Sequence, residues 1–250
     1  MRDDLDPLPA GTAGRADFTT TCWSAVLRAG ANDSPEAQVA LARLCRTYWY
    51  PLYAYVRRQG RSEPDAQDLV QGFFAQLLGR GSLVRVMPKG GRFRSYLLGA
   101  LNYYLADRRD AAHAKKRGGG QETVSFDAMT AEERYRLEPA DARSPERLFS
   151  RRWALTVLDT VLARLERDYR AQGKGVLFDR LQACLLGDHG HGTFGAVALE
   201  LGLSEGAVKM AALRLRQRYR ELIHELIAET VSGPEEVGEE VRFLLAAVSQ

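Results

Sequence analysis

The chain has 250 residues, of which 45% are hydrophobic and 27% are charged, and its formal net charge is +3. It is long enough for one or two compact domains. Cys22, Cys45 and Cys184 are far apart and form no CxxC pair, which argues against a disulfide framework or a zinc site. No apolar run reaches the roughly 18 residues of a membrane span. These features predict a cytoplasmic protein without membrane insertion.

Charge is unevenly distributed along the chain. Residues 92–118 carry seven Lys or Arg against two Asp, and residues 205–220 carry five against one Glu. Residues 221–250 carry seven Glu and one Arg. Two basic segments far apart in sequence predict two contacts with a polyanion, which the acidic end should avoid.

Apolar residues recur at helical spacing and β-branched runs are absent, which predicts an all-α fold of two small helical domains. Residues 1–33 are expected to be a partly disordered lead, followed by a first domain at 34–117. Residues 118–149, rich in Gly, Pro, Ser and acids, are predicted to be a flexible linker. A second domain at 150–229 ends in a predicted helix-turn-helix, and residues 230–250 form a helical tail.

In chain order, the first predicted helix begins with Ser34 as its N-cap and Pro35 at its first position. Pro51 is expected to kink this helix, because proline removes a backbone donor. The second predicted helix buries an apolar stripe at helical spacing: Ala66, Leu69, Val70, Phe73, Phe74 and Leu77. Its opposite face is polar: Asp65, Asp68 and Gln71.

The third predicted helix and its basic end mix aromatic rings with cations: Arg92, Phe93, Arg94, Tyr96, Tyr103, Tyr104, Arg108, Arg109, Lys115, Lys116 and Arg117. Cations along a helix can neutralise phosphates, and aromatic faces can stack on unpaired bases, which together would hold single-stranded nucleic acid. Four residues follow one stripe and are expected in the core: Phe93, Leu97, Leu101 and Tyr104. Tyr96 and Tyr103 lie off that stripe and are the better candidates for base contacts.

The second domain is predicted to open with a helix whose apolar residues repeat: Leu155, Leu158, Val161, Leu162 and Leu165. Further along, Gly202 is suited to end a helix in the left-handed conformation, and Ser204 to cap the next one. Glu205 would interact with the positive end of that helix dipole. A predicted buried stripe follows: Val208, Ala211, Ala212, Leu215 and Tyr219.

Two helices joined by a short glycine-containing turn, with small residues at the crossing, predict a helix-turn-helix. In that motif the second helix enters the major groove of DNA. Several side chains of the second helix lie off its buried stripe: Lys209, Met210, Leu213, Arg214 and Gln217. The alternative is an ordinary helical hairpin with a solvated basic face.

The loop "GDHGHG" contains the best candidate for a metal site, in Asp188, His189 and His191. Two His residues two positions apart lack a further ligand at supporting spacing, so we expect an exposed loop and no metal. Asp107 and Asp110 stand alone among cations, whereas a nuclease needs clustered carboxylates or a metal motif. The chain is therefore expected to have no catalytic residues and no cofactor.

The acidic tail is predicted to form a helix that starts at Pro234, with one apolar stripe: Val237, Val241, Leu244, Leu245 and Val248. A helix this short is marginal alone, so its stripe should pack on something. One interpretation is a lid on the second domain's core. The other is autoregulation, in which the tail competes with DNA for the basic face of Lys209, Arg214 and Arg216.

Three segments, in this order, are similar to those of a known family: "DAQDLVQGFFAQLL", "GRFRSYLLGALNYYLADRRD" and "ALELGLSEGAVKMAALRLRQRY". Together they resemble a sigma factor of bacterial RNA polymerase, of the two-domain extracytoplasmic-function type. The resemblance covers roughly residues 36–117 and 151–225. It implies a non-enzymatic transcription initiation protein whose partners are core RNA polymerase, promoter DNA and an anti-sigma factor or other regulator.

The resemblance also implies roles for individual residues. Part of the second helix would bind core polymerase: Asp65, Asp68, Gln71 and Phe74. The third helix and its basic end would melt and read the minus-ten promoter element: Arg92, Arg94, Tyr96, Asn102, Tyr103, Arg108, Arg109, Lys115, Lys116 and Arg117. The helix-turn-helix would bind the minus-thirty-five element: Ser204, Glu205, Lys209, Met210, Leu213, Arg214 and Arg216.

The chain departs from the family pattern at several positions. Gly72 stands where many members carry an acid, and Asn102 is one residue nearer Tyr96 than usual. Ala196 replaces a common Glu, and "KMAA" replaces a more polar pattern, so phosphate and shape contacts are expected to outweigh contacts with base edges. The alternative function is a helix-turn-helix regulator that binds duplex DNA without being a polymerase subunit.

Overall fold

The computed structural model describes residues 35–78, 92–114, 128–137, 144–186 and 193–249. Within these ranges every regular element is helical, which confirms the predicted all-α fold. The helices are α1 (Pro35–Arg58), α2 (Glu63–Leu78), α3 (Phe93–Ala114), α4 (Ala128–Arg136), α5 (Pro145–Ala171), α6 (Gly175–Leu181), a 3₁₀ helix (Gln182–Leu186), α7 (Thr193–Leu201), α8 (Glu205–Ala228) and α9 (Pro234–Ser249).

The first three helices pack around aromatic rings. Tyr48 of α1 meets Phe93 of α3 edge-on, with ring centroids 5.0 Å apart, and Phe73 of α2 lies 5.8 Å from Tyr104 of α3. The predicted stripe of α2 is confirmed, with Leu69 partly buried and the others buried. α1 runs through Pro51 to Arg58, so the proline does not end this helix.

α5 is the central helix, because it contacts α1, α6, α8 and α9. Its largest contact is with α1, and buried side chains from both predicted domains belong to one apolar cluster. The predicted stripe of α5 is only partly right, since Leu155, Leu158 and Leu162 are partly exposed whereas Phe149 and Trp153 are buried. A helix packed on several sides buries more than the one stripe expected of a surface helix.

The segment predicted as a linker contains regular structure. It includes α4, and α5 already begins at Pro145, capped by the Ser144 hydroxyl, which accepts a hydrogen bond from the Arg147 amide at 3.4 Å. The Glu132 carboxylate of α4 is buried against α1, where it accepts two hydrogen bonds from Arg57, at 2.9 and 3.0 Å, and another from the Tyr53 hydroxyl. These contacts attach α4 directly to α1.

α7 and α8 contact each other and are joined by a three-residue turn. Gly202 has φ of 64°, and the Leu203 and Gly202 amides donate to the carbonyls of Ala198 and Leu199 at 2.9 and 3.4 Å. This is the Schellman pattern that ends a helix at a left-handed glycine. The Ser204 hydroxyl accepts a hydrogen bond from the Ala207 amide at 3.2 Å, so both predictions for this turn are confirmed.

α9 begins at Pro234, as predicted, and packs on α5 and α8. Its Leu244 is fully buried, so the helix covers part of the common core as the lid interpretation expected. Leu245 is exposed, contrary to the predicted stripe, because Glu240 and Ala247 face the protein instead. The burial of a glutamate on the inner side of this helix was not expected from the sequence.

Candidate nucleic-acid interface

The polar face of α2 is open to solvent. Asp65 and Asp68 are exposed and Gln71 is half-buried, and the Ser62 hydroxyl donates to the Asp65 carboxylate at 2.7 Å at the start of the helix. Phe74, the fourth residue assigned to this face, is fully buried. Its assignment is therefore corrected: the ring supports α2 from the core side and is not on the exposed surface.

Gly72 has a structural role between α2 and α3. A Cβ atom at this position would lie 2.5 Å from the Tyr104 hydroxyl oxygen, closer than such atoms approach in proteins. The Tyr104 ring is itself buried. Any larger residue at 72, an acid included, would force this ring to move, which accounts for the glycine at a position where the resemblance suggests a carboxylate.

The outer face of α3 carries one highly exposed aromatic residue. Tyr103 is 75% exposed, whereas the four residues predicted for the core stripe of α3 are all buried. Tyr96 is half-buried: its ring stacks on Phe93 with centroids 6.4 Å apart, and burial raises the pKa of its phenol. Tyr103 is thus free to stack on a base, and Tyr96 offers less of its surface.

Further along α3, Arg108 and Arg109 are exposed, and the Arg108 guanidinium lies over the Tyr104 ring, 5.1 Å from its centroid. Asn102 is exposed, and its side-chain oxygen accepts a hydrogen bond from the Tyr55 hydroxyl at 2.8 Å. The exposed part of α3 therefore combines an aromatic ring with two cations. The remaining cations assigned here lie outside the described residues: Lys115, Lys116 and Arg117.

The start of α3 differs from the rest of the helix. Arg92 and Arg94 form ion pairs with Glu239 and Glu240 of α9. The Arg94 side chain is only 11% exposed. These two arginines, both assigned to DNA, are thus engaged by the C-terminal helix.

The exposed side of α8 combines cations with apolar side chains. Lys209 pairs with Glu205 one turn earlier at 2.6 Å, and this lysine lowers the pKa of the Glu205 carboxyl. Met210 and Leu213 are 49% and 53% exposed, and Arg214 is exposed. Arg216, the last residue assigned to the minus-thirty-five element, is half-buried.

Two further apolar residues near this face were missed by the sequence analysis. Leu199 of α7 is 86% exposed and Leu203 of the turn is 45% exposed. Leucine side chains are usually buried, so the exposure of these two was not expected. They add apolar surface near the start of α8. Such groups can contact the methyl group of thymine in a major groove.

The loop considered for a metal, with Asp188, His189 and His191, lies outside the described residues. In the part of the chain that is described, no three His, Cys, Asp or Glu side chains are grouped so that they could hold a metal ion. No helix there is both long and apolar enough to cross a bilayer. Cys45 is fully buried, as expected of a small core residue.

No family model, no curated protein and no solved structure matches this chain. Functional assignment therefore depends on the residues and their arrangement. The structure brings the start of α3 and the acidic tail together, which no local sequence signal could indicate. It leaves the polar face of α2, the outer face of α3 and the basic side of α8 accessible.

Proposed function

We propose that the protein is a sigma factor of bacterial RNA polymerase, of the two-domain extracytoplasmic-function type. The observation that carries the proposal is that α3 exposes an aromatic ring, Tyr103, and two cations, Arg108 and Arg109, to solvent. Stacking on an exposed ring and neutralisation of phosphates together favour unpaired DNA, which a regulator of duplex DNA does not need. The capped helix α8, with its exposed cations, supports a second contact with duplex DNA.

In this proposal α2 docks on core polymerase through Asp65, Asp68 and Gln71. The outer face of α3 holds the melted minus-ten element, where unstacking a base costs a few kcal/mol that contacts with the protein recover. α8 lies in the major groove of the minus-thirty-five element, with Lys209 and Arg214 toward phosphates or bases. The protein acts in the cytoplasm and contributes no catalytic residue.

Co-purification with core polymerase tests the docking face. Asp68→Lys reverses a charge on an exposed residue, so it should abolish co-purification at a folding cost within about 0.5 kcal/mol. Glu133→Lys makes the same charge change on the exposed side of α4 and serves as the matched control. Retention of polymerase by Asp68→Lys, or equal losses in both variants, would contradict the docking role of α2.

The second candidate is a regulator that binds duplex DNA without polymerase. It is favoured by one observation, that α8 carries exposed cations whereas Arg92 and Arg94 are engaged by α9. A gel shift with and without core polymerase separates the two functions. A sigma factor should bind promoter DNA well only with core polymerase, and tight, specific binding by the protein alone would favour the regulator.

A further inference from the structure

The ion pairs between α3 and α9 are close, and the pair of Arg94 with Glu240 is largely shielded from solvent, whereas Glu239 is exposed. The Arg94 Nε and Nη2 atoms donate to the two carboxylate oxygens of Glu240, at 2.5 and 3.1 Å. Arg92 reaches the same carboxylate at 3.2 Å and Glu239 at 2.6 Å. The Glu240 side chain is only 1% exposed. A bidentate carboxylate occupies the same N–H groups through which a guanidinium binds phosphate.

The planar guanidinium group of Arg94 also packs against aromatic rings. Its central carbon lies 3.6 Å from the centroid of the Phe243 ring of α9 and 5.5 Å from that of Trp153 in α5. The backbone is joined at the same place, since the Phe93 amide donates to the Thr230 carbonyl at 2.9 Å. Arg94 is therefore enclosed by protein on its edge and on its face, and DNA cannot reach it in this arrangement.

Phe243 also lines a pocket between α5 and α9. The pocket has a volume of about 230 Å³ and is lined by Phe243, Ala246 and Ala247 from α9 and by Glu146, Arg147, Ser150 and Arg151 from α5. α9 is held by its buried side chains, Val237, Leu244 and Ala247, together with its ion pairs to α3, and both sets of contacts are given up if the helix leaves.

We propose that α9 is an intramolecular cover that competes with DNA for Arg92 and Arg94. The proposal rests on the proposed function, in which α3 contacts the minus-ten element. It changes the target of autoregulation expected from the sequence: the carboxylates of α9 pair with the start of α3, whereas Lys209 of α8 pairs with Glu205 of its own helix. Displacement of α9 exposes two cations at the start of the helix that also carries the exposed Tyr103.

Glu240→Gln tests the cover directly, because it removes the charge with little change of shape. Binding of a fluorescent single-stranded oligonucleotide by the full chain, at low salt and without polymerase, should strengthen about tenfold, since apparent affinity scales with the fraction of molecules in the open state. Glu235→Gln makes the same change of net charge on an exposed residue of the same helix, and its affinity should match the wild type. Equal affinities for the two variants overturn the proposal.

A second substitution identifies the cations. Arg94→Ala is tested in the Glu240→Gln background, because in the wild type it would also remove the ion pair that holds α9 and so loosen the cover. Added to Glu240→Gln, it should remove most of the gain in affinity that Glu240→Gln produces alone. A double variant that keeps the full gain in affinity would mean that DNA does not bind Arg94 when α9 is displaced, and the proposal would be overturned.

Two measurements do not depend on oligonucleotide binding, and the second of them does not depend on the Glu240→Gln variant. Modification of arginines by phenylglyoxal, read by mass spectrometry, should spare Arg94 in the wild type and label it in Glu240→Gln, whatever the function. In the wild type, amide hydrogen exchange in residues 234–249 should rise on addition of core polymerase and promoter DNA. Unchanged exchange in a complex that does form overturns the cover alone, whereas failure to form any complex overturns the sigma-factor function.

Discussion

Two cationic surfaces of this protein differ in how they are occupied. At the start of α3, Arg92 and Arg94 are paired with carboxylates of another helix that lies far away in sequence. On α8, Lys209 pairs within its own helix and Arg214 is exposed. Both segments are similarly basic in the sequence. The difference teaches that the charge of a segment indicates an affinity for polyanions, but that availability depends on partners elsewhere in the fold.

The difference also suggests an order of events under the proposed function. The cations of α8 are available for duplex DNA from the outset, whereas the start of α3 becomes available only after α9 has moved. Recognition of the duplex would then precede engagement of the melted strand.

The largest expected effect is on stability, and it comes from truncating Trp153, which packs beneath Arg94. Trp153 is fully buried and lies beneath Arg94 and beside Phe243, 6.1 Å between ring centroids. Trp153→Ala should lower the free energy of unfolding by about 3–5 kcal/mol, measured by urea denaturation. Leu199→Ala, at an exposed position near α8, should change it by no more than about 0.5 kcal/mol. Similar effects in the two variants would contradict the assigned packing.

A second contrast sets a buried ion pair against a surface pair. Glu132→Ala removes the partner of Arg57, and it leaves the buried Tyr53 hydroxyl without its acceptor. Because Arg57 is partly exposed, we expect a loss of about 2–3 kcal/mol rather than the full cost of breaking a buried pair. Glu133→Ala, on the exposed side of the same helix, is the control. A small loss for Glu132→Ala would mean that α4 is not held on α1 by this contact.

The same pair predicts a dependence on pH. Hydrogen bonding from Arg57 lowers the pKa of Glu132 in the folded protein. A depressed pKa stabilises the fold fully above the ordinary glutamate value of about 4.3, and this contribution is lost as the pH falls through the lower folded value. The stability difference between wild type and Glu132→Gln should therefore be constant near neutral pH and shrink below about 4.3. A difference that grows on acidification would contradict this sign.

The next prediction tests whether the exposed cations of α8 contact DNA. Arg214→Ala should weaken binding of the polymerase complex to upstream duplex DNA by about 1–3 kcal/mol if the residue contacts a base. If it contacts a phosphate instead, the salt dependence should fall by about one unit of slope. Arg220→Ala, farther along the same helix, is the control, and fluorescence anisotropy is a suitable measurement. No change in either quantity would place the DNA contact elsewhere.

The smallest expected effect concerns the start of α8. Ser204→Ala removes the hydroxyl that accepts from the Ala207 amide and should cost about 1 kcal/mol of stability. Ser204→Asp should retain most of this stability, because a carboxylate also caps a helix and interacts favourably with the positive end of the helix dipole. Thermal unfolding compares the two. The labelling of Arg94 by phenylglyoxal should not change in either variant, since the covered surface is separate from this cap.

Local signals in the sequence predicted local structure well. The left-handed Gly202, the Ser204 cap and the start of α9 at Pro234 each follow from the chemistry of one or two residues. The core stripe of α3 was predictable because its four members repeat at helical spacing. The exposed polar face of α2 followed in the same way, as the complement of an apolar stripe.

Long-range contacts could not be predicted in this way. Arg94 and Glu240 are 146 residues apart, and nothing near either residue specifies the other. The composition of residues 118–149 suggested a linker, whereas the burial of Glu132 in α4 depends on Tyr53 and Arg57 of α1. Phe74 was assigned to a binding surface through resemblance, although its spacing with Val70 and Leu77 already favoured the core.

The separation of Arg94 from Glu240 also has a consequence during synthesis. Glu240 is the 146th residue that the ribosome adds after Arg94. At about 5–20 residues per second this takes about 7–30 seconds. Throughout that interval the nascent chain holds the start of α3 without the carboxylates of α9. A growing polypeptide that is itself attached to a large RNA particle thus carries these cations uncovered until the residues of α9 have been added.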